Sequence, residues 1–258
     1  EISGGLVGSE MCIRDRRVID LSDWGRPLAR LIAEFLKNKP ISVIQVTNIH
    51  LLLTIFCSWL ILNGLLSIAF ILLVVKGVID AVDGELARIR NKPSHVGRYW
   101  DTIADSIGLI MVTSSLGVLF EWNSLVTFLI IIATLIQYSL FNHYSITMRT
   151  LSLGDTTSRI DESIRPIAHP WEKQSKVNFF HSVYLLFFSW QDRIISTLSG
   201  KGSKNLTFEL TISSMLGFGF QSLVFLMLAL TKQLDYVPHL VLGINMMIVA
   251  VVLLRSRI

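Results

Sequence analysis

The feature that most constrains this chain is a run without charge: no Asp, Glu, Lys or Arg occurs between positions 41 and 75. A helix that crosses the hydrocarbon core of a bilayer takes about 20 apolar residues. The run is therefore long enough for most of two spans, and Asn63-Gly64 supplies a turn signal between them. Charged residues make up only 16% of the chain, and the mean hydropathy is +0.57. This balance, with only two cysteines, predicts a membrane protein and excludes a disordered chain or a secreted disulfide scaffold.

Hydropathy along the rest of the chain predicts six membrane-spanning helices in all. The stretch 177–198 is rich in Phe, Leu and Ile but carries Gln191-Asp192-Arg193. A charge inside a span costs about 2.5–3.5 kcal/mol, so we expect an interfacial amphipathic helix there rather than a seventh span. The predicted fold class is an all-α polytopic membrane protein with six transmembrane helices and an N-terminal juxtamembrane amphipathic helix. Its spans are two within 41–80 and one each at 99–120, 125–148, 209–230 and 237–254.

The distribution of basic residues sets the predicted topology. With six spans and a cytoplasmic N-terminus, every Lys and Arg falls on the cytoplasmic side except Lys76, near the end of the second span, and Lys232. A basic face of this kind attracts anionic membrane lipids, so the net charge of +4 gives no support for nucleic-acid binding. We expect an integral membrane protein with its active site facing the cytoplasm, in the cytoplasmic membrane if the source is bacterial.

Three regions follow from this plan. Residues 1–16 do not begin with Met and fit neither a signal peptide nor a helix, so we expect a leader without function, foreign to the protein or left by truncation. Residues 41–258 form the six-helix domain, which includes a cytoplasmic and interfacial segment at 149–208. Residues 17–40 are basic and predict a cytoplasmic juxtamembrane amphipathic helix, with an apolar face from Trp24, Leu28, Leu31, Ile32 and Phe35.

Four aspartates lie where membrane spans should avoid charge. Asp80 and Asp83 are spaced i,i+3 and Asp101 and Asp105 i,i+4, so each pair projects from one helix face. Converging carboxylates cannot all stay ionised in a low dielectric without compensation, and hard divalent cations with oxygen ligands supply it. We therefore predict that all four aspartates bind metal, as a site for two Mg²⁺ or Mn²⁺ ions. Lys76, one turn before Asp80, either neutralises that carboxylate or extends to the interface.

The residues between the acids extend this pattern into a longer motif. Gly84 and Ala87 are small, which lets a base or a phosphate approach the helix backbone, and Arg88 offers a planar fork suited to phosphate. The pattern D-x2-D-G-x2-A-R-x8-G-x3-D-x3-D resembles the signature of the CDP-alcohol phosphatidyltransferase family, the class I membrane phospholipid synthases. All its fixed positions match, namely Asp80, Asp83, Gly84, Ala87, Arg88, Gly97, Asp101 and Asp105.

The resemblance implies an activity and a role for each matched residue. Such enzymes transfer a phosphatidyl or phospho-alcohol group from a CDP-linked lipid, such as CDP-diacylglycerol, to a small hydroxyl acceptor and release CMP. Asp105 would complete the second metal site and act as the general base. A homodimer is also implied. The cytidine diphosphate pocket would be lined by Gly84, Ala87 and Arg88.

The acceptor site is the least constrained part of the prediction. His143 and Arg149 lie at the cytoplasmic end of the fourth span and would bind a phosphorylated acceptor. The alternative for His143 is a polar group satisfied between helices, and the alternative for Arg149 is a topology-setting charge. The family often begins its first span with Thr-Pro-Asn, whereas Val46-Thr47-Asn48 lacks the proline, and helix capping is the alternative role for Thr47 and Asn48. Serine, glycerol phosphate, inositol phosphate and a lipid alcohol all stay open as acceptors.

Three other functions compete with this interpretation. An intramembrane prenyltransferase also uses paired aspartates and Mg²⁺, but its acidic motifs lie far apart in sequence. A cation transporter would place its carboxylates near the midplane, break its helices and repeat half of its sequence. A non-catalytic membrane scaffold would give no reason for the four acids.

Overall fold

The computed structural model describes residues 19–151, 162–199 and 206–255. These residues contain eight helices and no strand, which confirms the all-α prediction. Two helices are irregular: one has a 3-10 turn at Ser214–Leu216, and one has a π-helical segment at Leu240–Asn245. In chain order the helices are α1 (Arg26–Leu36), α2 (Val43–Leu62), α3 (Leu66–Ile89), α4 (His95–Leu119), α5 (Ser124–Leu151), α6 (Gln174–Leu198), α7 (Leu206–Leu230) and α8 (Leu234–Arg255).

Five of the described helices are long and apolar enough to cross a membrane, namely α2, α4, α5, α7 and α8. Together with α3 they follow the predicted spans in order. α3 has 24 residues but carries Lys76, Asp80 and Asp83, which make it less apolar than its neighbours. α6, like α3, is not among the five, and its place at the membrane interface stays a prediction. The polytopic membrane fold is confirmed, whereas the count of six spans stays a prediction.

α2 and α3 form a hairpin whose two ends are fixed by local chemistry. Ser42 and Gln45 form a capping box at the start of α2, each side chain accepting from the other's backbone N–H. At the far end Gly64 adopts a φ of 75°, and Leu65 N–H donates to Leu60 O at 3.0 Å. This glycine-ended closure confirms the Asn63-Gly64 turn. It returns α3 against α2, so that the first half of α2 faces the second half of α3.

α1 lies within the 17–40 segment for which a juxtamembrane helix is predicted, and it is shorter than that segment. Ala29 and Ala33 are fully buried, and their small side chains let α1 pack closely on α3. The opposite face exposes apolar side chains, with Leu31 and Phe35 exposed to 70% and 72%. A helix with one packed face and one open apolar face is suited to lie on a membrane surface.

Arg90 ties the end of α1 to the end of α3. Backbone carbonyls at the end of a helix lack partners within the helix, and basic side chains nearby commonly bind them. The Arg90 guanidinium binds carbonyls at the end of α1 and also carbonyls in the connection between α1 and α2. It donates at 2.6–2.9 Å to the carbonyls of Leu36, Lys37, Lys39 and Ile41.

Two glutamates anchor the described segment 162–173 to the start of α4. Glu162 is buried and accepts hydrogen bonds from Arg98 and from the Tyr99 hydroxyl, at 3.0 and 2.9 Å. Glu172 accepts from backbone N–H groups at the N-terminus of α4, where a negative charge is stabilised by the helix dipole. α6 then packs along α4 and α5, so the connection after α5 covers one side of the bundle.

Candidate active site

Three helices bring motif aspartates and one histidine to the same end of the bundle. Asp80 and Asp83 lie on α3, Asp101 lies on α4, and His50 lies on α2. Ligand atoms of these four residues all fall within 4.8 Å of one another. We call this group the carboxylate–histidine cluster. Three carboxylates at this spacing fit a divalent cation, and the imidazole beside them can ligate the ion or orient its carboxylate ligands.

His50 is the member of the cluster that sequence reasoning missed. Its side chain is fully buried, and its Nε2 lies 3.3 Å from Asp101 Oδ1 and 3.5 Å from Asp80 Oδ1. Its Nδ1 contacts no polar partner among the described residues. The available signal was a lone histidine inside an uncharged span, since a polar side chain there usually faces the bundle interior and has a partner.

Thr47 and Asn48 lie within α2, so the helix-capping alternative is wrong: Ser42 is the cap. Thr47 is buried, and its hydroxyl donates to Asp83 Oδ2 at 2.6 Å. Asn48 Oδ1 accepts from Trp100 Nε1 at 2.8 Å, which ties α2 to α4. Both side chains therefore support the elements that carry the motif aspartates.

Asp105 stands apart from the carboxylate–histidine cluster and contacts Lys76 Nζ. The same ammonium lies 3.3 Å from Asp80 Oδ2 and 4.4 Å from the centre of the Phe218 ring. The Lys76 side chain is only 3% exposed, so it does not extend to the interface and instead neutralises carboxylates of α3 and α4. The structure thus groups three of the four predicted metal ligands directly and links the fourth to Asp80 through Lys76.

A cleft of about 270 Å³ opens beside the cluster, and its walls include Asp80, Asp83 and Asp101. Gly84 and Arg88 also line it, but Ala87 is not among its described lining residues. A Cβ added to Gly84 would meet only the Arg88 guanidinium, at 3.7 Å. No protein neighbour therefore requires glycine at this position, and the space beside its backbone is open to a ligand.

Arginines from two helices surround the buried carboxylate of Glu85 at the wall of this cleft. Arg88 of α3 contacts Glu85, and Arg26 and Arg30 of α1 each place Nε 3.6 Å from it. Arg26 also pairs with Asp23 at 3.0 Å. Of these three arginines, Arg26 and Arg88 line the cleft, so two guanidinium groups are placed where they can contact a phosphate.

The segment before α1 forms the remaining wall and is held against α7. Ser22 Oγ accepts from Gly219 N–H at 2.9 Å, and Trp24 Nε1 donates to Gly219 O at 2.9 Å. A Cβ on Gly219 would fall 1.9 Å from the Ser22 carbonyl oxygen, so only glycine allows this approach. The contact places Asp23 and Arg26 beside the cleft.

His143 and Arg149 are not among the described residues that line the cleft. His143 Nε2 lies 3.1 Å from Ser199 Oγ, in a smaller pocket between α5 and α6. This contact agrees with a polar group satisfied between helices. Burial raises the pKa of Asp20, and the positive charge of Arg149 is among the influences that lower it, which places Arg149 near the segment before α1.

Comparison with known families gives the site its context. The family model for CDP-alcohol phosphatidyltransferase matches residues 42–199, more than half of the chain. The chain belongs to the CDP-alcohol phosphatidyltransferase family. The matched range contains the whole aspartate motif and every member of the carboxylate–histidine cluster. No curated protein matches the chain at a significant level.

Membership of the CDP-alcohol phosphatidyltransferases fixes the general class of this protein. It is an integral membrane transferase of phospholipid biosynthesis. The family takes a CDP-alcohol donor and a hydroxyl acceptor and uses divalent metals, and the carboxylate–histidine cluster could hold such an ion. The prenyltransferase, transporter and scaffold hypotheses lose their support, because the family match covers the aspartates on which they depend.

Proposed function

We propose that this protein transfers a phosphatidyl or phospho-alcohol group from a CDP-diacylglycerol-like lipid to a hydroxyl acceptor and releases CMP. The observation that carries the proposal is the cleft, where three motif aspartates meet Gly84 and Arg88 at one end of the bundle. Carboxylates for metal and guanidinium groups for phosphate thus face the same space. A nucleoside diphosphate needs both kinds of group.

Asp80, Asp83 and Asp101 are the proposed metal ligands, with Asp105 completing a second site. When bound, two Mg²⁺ or Mn²⁺ ions would stabilise negative charge on the diphosphate oxygens. The side chains around them support this assignment. Thr47 holds the Asp83 carboxylate, and Lys76 balances part of the charge of Asp80 and Asp105.

The donor's cytidine diphosphate is assigned to the cleft, with Gly84, Ala87 and Arg88 as its binding residues. Arg88 is held in place by the nearly buried Glu85 carboxylate, so its guanidinium is partly preorganised for a phosphate. Arg26 of α1 lines the same cleft and adds a second cation from outside the motif. Burying the diphosphate between these groups would keep the reacting bond away from bulk water.

Asp105 is the proposed general base. Its carboxylate accepts the proton of the acceptor hydroxyl, and the acceptor oxygen forms a bond to the phosphorus that bears the transferred group. The bond from this phosphorus to the bridging oxygen breaks, and the electron pair leaves with CMP. Lys76, in contact with Asp105, counterbalances the carboxylate charge before the proton arrives.

We place the reaction at the cytoplasmic face of the membrane, because the basic residues follow the positive-inside rule in that orientation. There a water-soluble CDP head group would reach the cleft while its lipid chains stay in the bilayer. A homodimer is part of the proposal as an expectation from the family. His143 and Arg149 are left out of the acceptor site, since neither lines the cleft or the pocket that Asp105 lines among the described residues.

The test is an assay of the purified protein with CDP-diacylglycerol labelled in its cytidine. CMP release would be measured with serine, glycerol phosphate, inositol phosphate and lipid alcohols as acceptors. We expect release that requires both an acceptor and a divalent cation. An Asp235→Asn variant, changed at an exposed aspartate outside the site, is the matched control for aspartate substitutions. Absence of CMP release with every acceptor would contradict the proposed function.

A further inference from the structure

A second cavity lies in the centre of the bundle, and Phe218 lines both this cavity and the cleft. Residues of α2, α3, α4, α5, α7 and α8 line it, and Asp105, Lys76 and Tyr138 lie at one end. Along α4 its wall continues past Val112 to Leu116. At a rise of 1.5 Å per residue, this wall extends about 16 Å from Asp105.

The lining of this central cavity is mostly apolar, although it includes the hydroxyl groups of Thr54, Thr113, Thr134, Tyr138 and Ser222. Thr54, Thr134 and Ser222 each donate to a backbone carbonyl of their own helix at 2.8 Å. Their hydrogen-bonding capacity as donors is therefore used within the protein. Of the described lining residues only Lys76 and Asp105 carry charge, and these two contact each other.

We infer that the acceptor is a lipid alcohol, with its hydroxyl at Asp105 and its alkyl chain in the central cavity; the inference rests on the proposed function. The alkyl chain of a lipid alcohol would keep apolar surroundings on passing from the bilayer into this cavity, whereas exposing the chain to water would cost free energy. A phosphorylated acceptor would instead need cations with unused donors. Lys76 is the one described cation lining this cavity, and it already contacts Asp105 and Asp80.

The position of Asp105 decides between the two substrates. A general base must contact the acceptor hydroxyl, so a cavity that Asp105 lines is on the acceptor's side. The donor's diphosphate has a different environment. Arg26 and Arg88 line the cleft, and Asp105 is not among its described lining residues. The cleft and the central cavity therefore offer an anion-binding surface and an apolar surface that meet at Lys76 and Asp80.

The test compares acceptors of different chain length in the wild type and in two matched variants. Val112→Phe narrows the central cavity, whereas Val118→Phe adds the same group to α4 at a side chain that is 69% exposed. With CDP-diacylglycerol as donor, we expect Val112→Phe to lower kcat/KM for dodecanol by about tenfold or more, with butanol nearly unaffected. Val118→Phe should change neither. If Val112→Phe does not fold, Val112→Ala should shift the preference toward longer alcohols.

Each other outcome has a definite meaning. Faster transfer to serine or glycerol 3-phosphate than to any lipid alcohol, unchanged by Val112→Phe, would overturn the inference and leave the proposed function standing. If Val112→Phe instead raises KM for CDP-diacylglycerol and its effect does not depend on acceptor chain length, the cavity belongs to the donor's acyl chain. That result would also overturn the inference. If no acceptor in the panel, soluble or lipid, supports CMP release, both the inference and the proposed function are overturned.

Discussion

His50 Nε2 lies 3.3 Å from Asp101 Oδ1 and 3.5 Å from Asp80 Oδ1, so one buried imidazole touches carboxylates from two helices. Its Nδ1 contacts no polar partner among the described residues. A buried N–H without an acceptor is costly, so a neutral ring favours carrying its proton on Nε2, between the two carboxylates. His50 then acts by positioning Asp80 and Asp101 for a metal.

Replacing His50 should therefore weaken metal binding. We expect His50→Ala to lower the affinity for Mn²⁺ by about 10- to 100-fold, as for other groups that orient metal ligands. Free Mn²⁺ measured by electron paramagnetic resonance would report the affinity without reference to turnover. His50→Gln keeps an N–H donor and should recover part of the loss. His181→Ala, at another fully buried histidine, is the control, and equal Mn²⁺ affinity in all variants would contradict the positioning role.

Asp105→Asn should separate proton transfer from donor binding. The amide keeps the size of the carboxylate but cannot take the acceptor's proton, so we expect turnover to fall by about 100-fold or more. Binding of CDP-diacylglycerol, measured by displacement of labelled lipid, should stay close to wild type, because Asp105 is not among the residues that line the cleft. Retention of more than a few per cent of activity would remove the base assignment.

Lys76→Met should destabilise the protein. The substitution keeps much of the side-chain volume but leaves Asp80 and Asp105 without the ammonium that both contact or approach. Removing one partner of a buried ion pair costs about 3–5 kcal/mol. The loss would be measured by chemical unfolding in detergent with chelator present. Lys92→Met, at an exposed lysine, should change little, and equal stability of the two variants would argue against buried pairing.

Removing divalent cations should stop turnover and lower thermal stability together. The carboxylate–histidine cluster places three carboxylates near one another, and a bound cation relieves their mutual repulsion. We expect excess chelator to abolish CMP release and added Mg²⁺ or Mn²⁺ to restore it. A melting temperature that rises on adding either ion would be the second readout. Full activity in excess chelator would contradict the metal assignment.

Much of the fold and part of the site could be predicted from sequence. The uncharged run and the Gly64 turn predicted the first hairpin, and the aspartate spacing predicted the three carboxylates that converge, together with a fourth, Asp105, that stands apart. His50 and Thr47 could not be assigned, because their partners lie 30 or more positions away and depend on how α2 packs. The anchoring of 162–173 by its two glutamates was equally hidden, since an ion pair or a hydrogen bond between distant segments has no periodic signal in the sequence.

Glu172 should make this anchoring sensitive to acid. Burial raises the pKa of Glu172, but hydrogen bonds from Val96 N–H, the Ser94 hydroxyl and His95 N–H together bring it below the usual value of 4.5. The ionised carboxylate thus stabilises the folded state above pH 4.5, and this contribution is lost as the pH falls through the lowered pKa. We expect hydrogen exchange in 162–173 to stay slow down to about pH 5 and to accelerate in stronger acid, relative to the rest of the bundle. Glu172→Gln should exchange several-fold faster at neutral pH and lose this acid response, whereas Glu34→Gln, at an exposed glutamate, should behave as wild type. An unchanged acid response in Glu172→Gln would show that another group controls the docking of this segment.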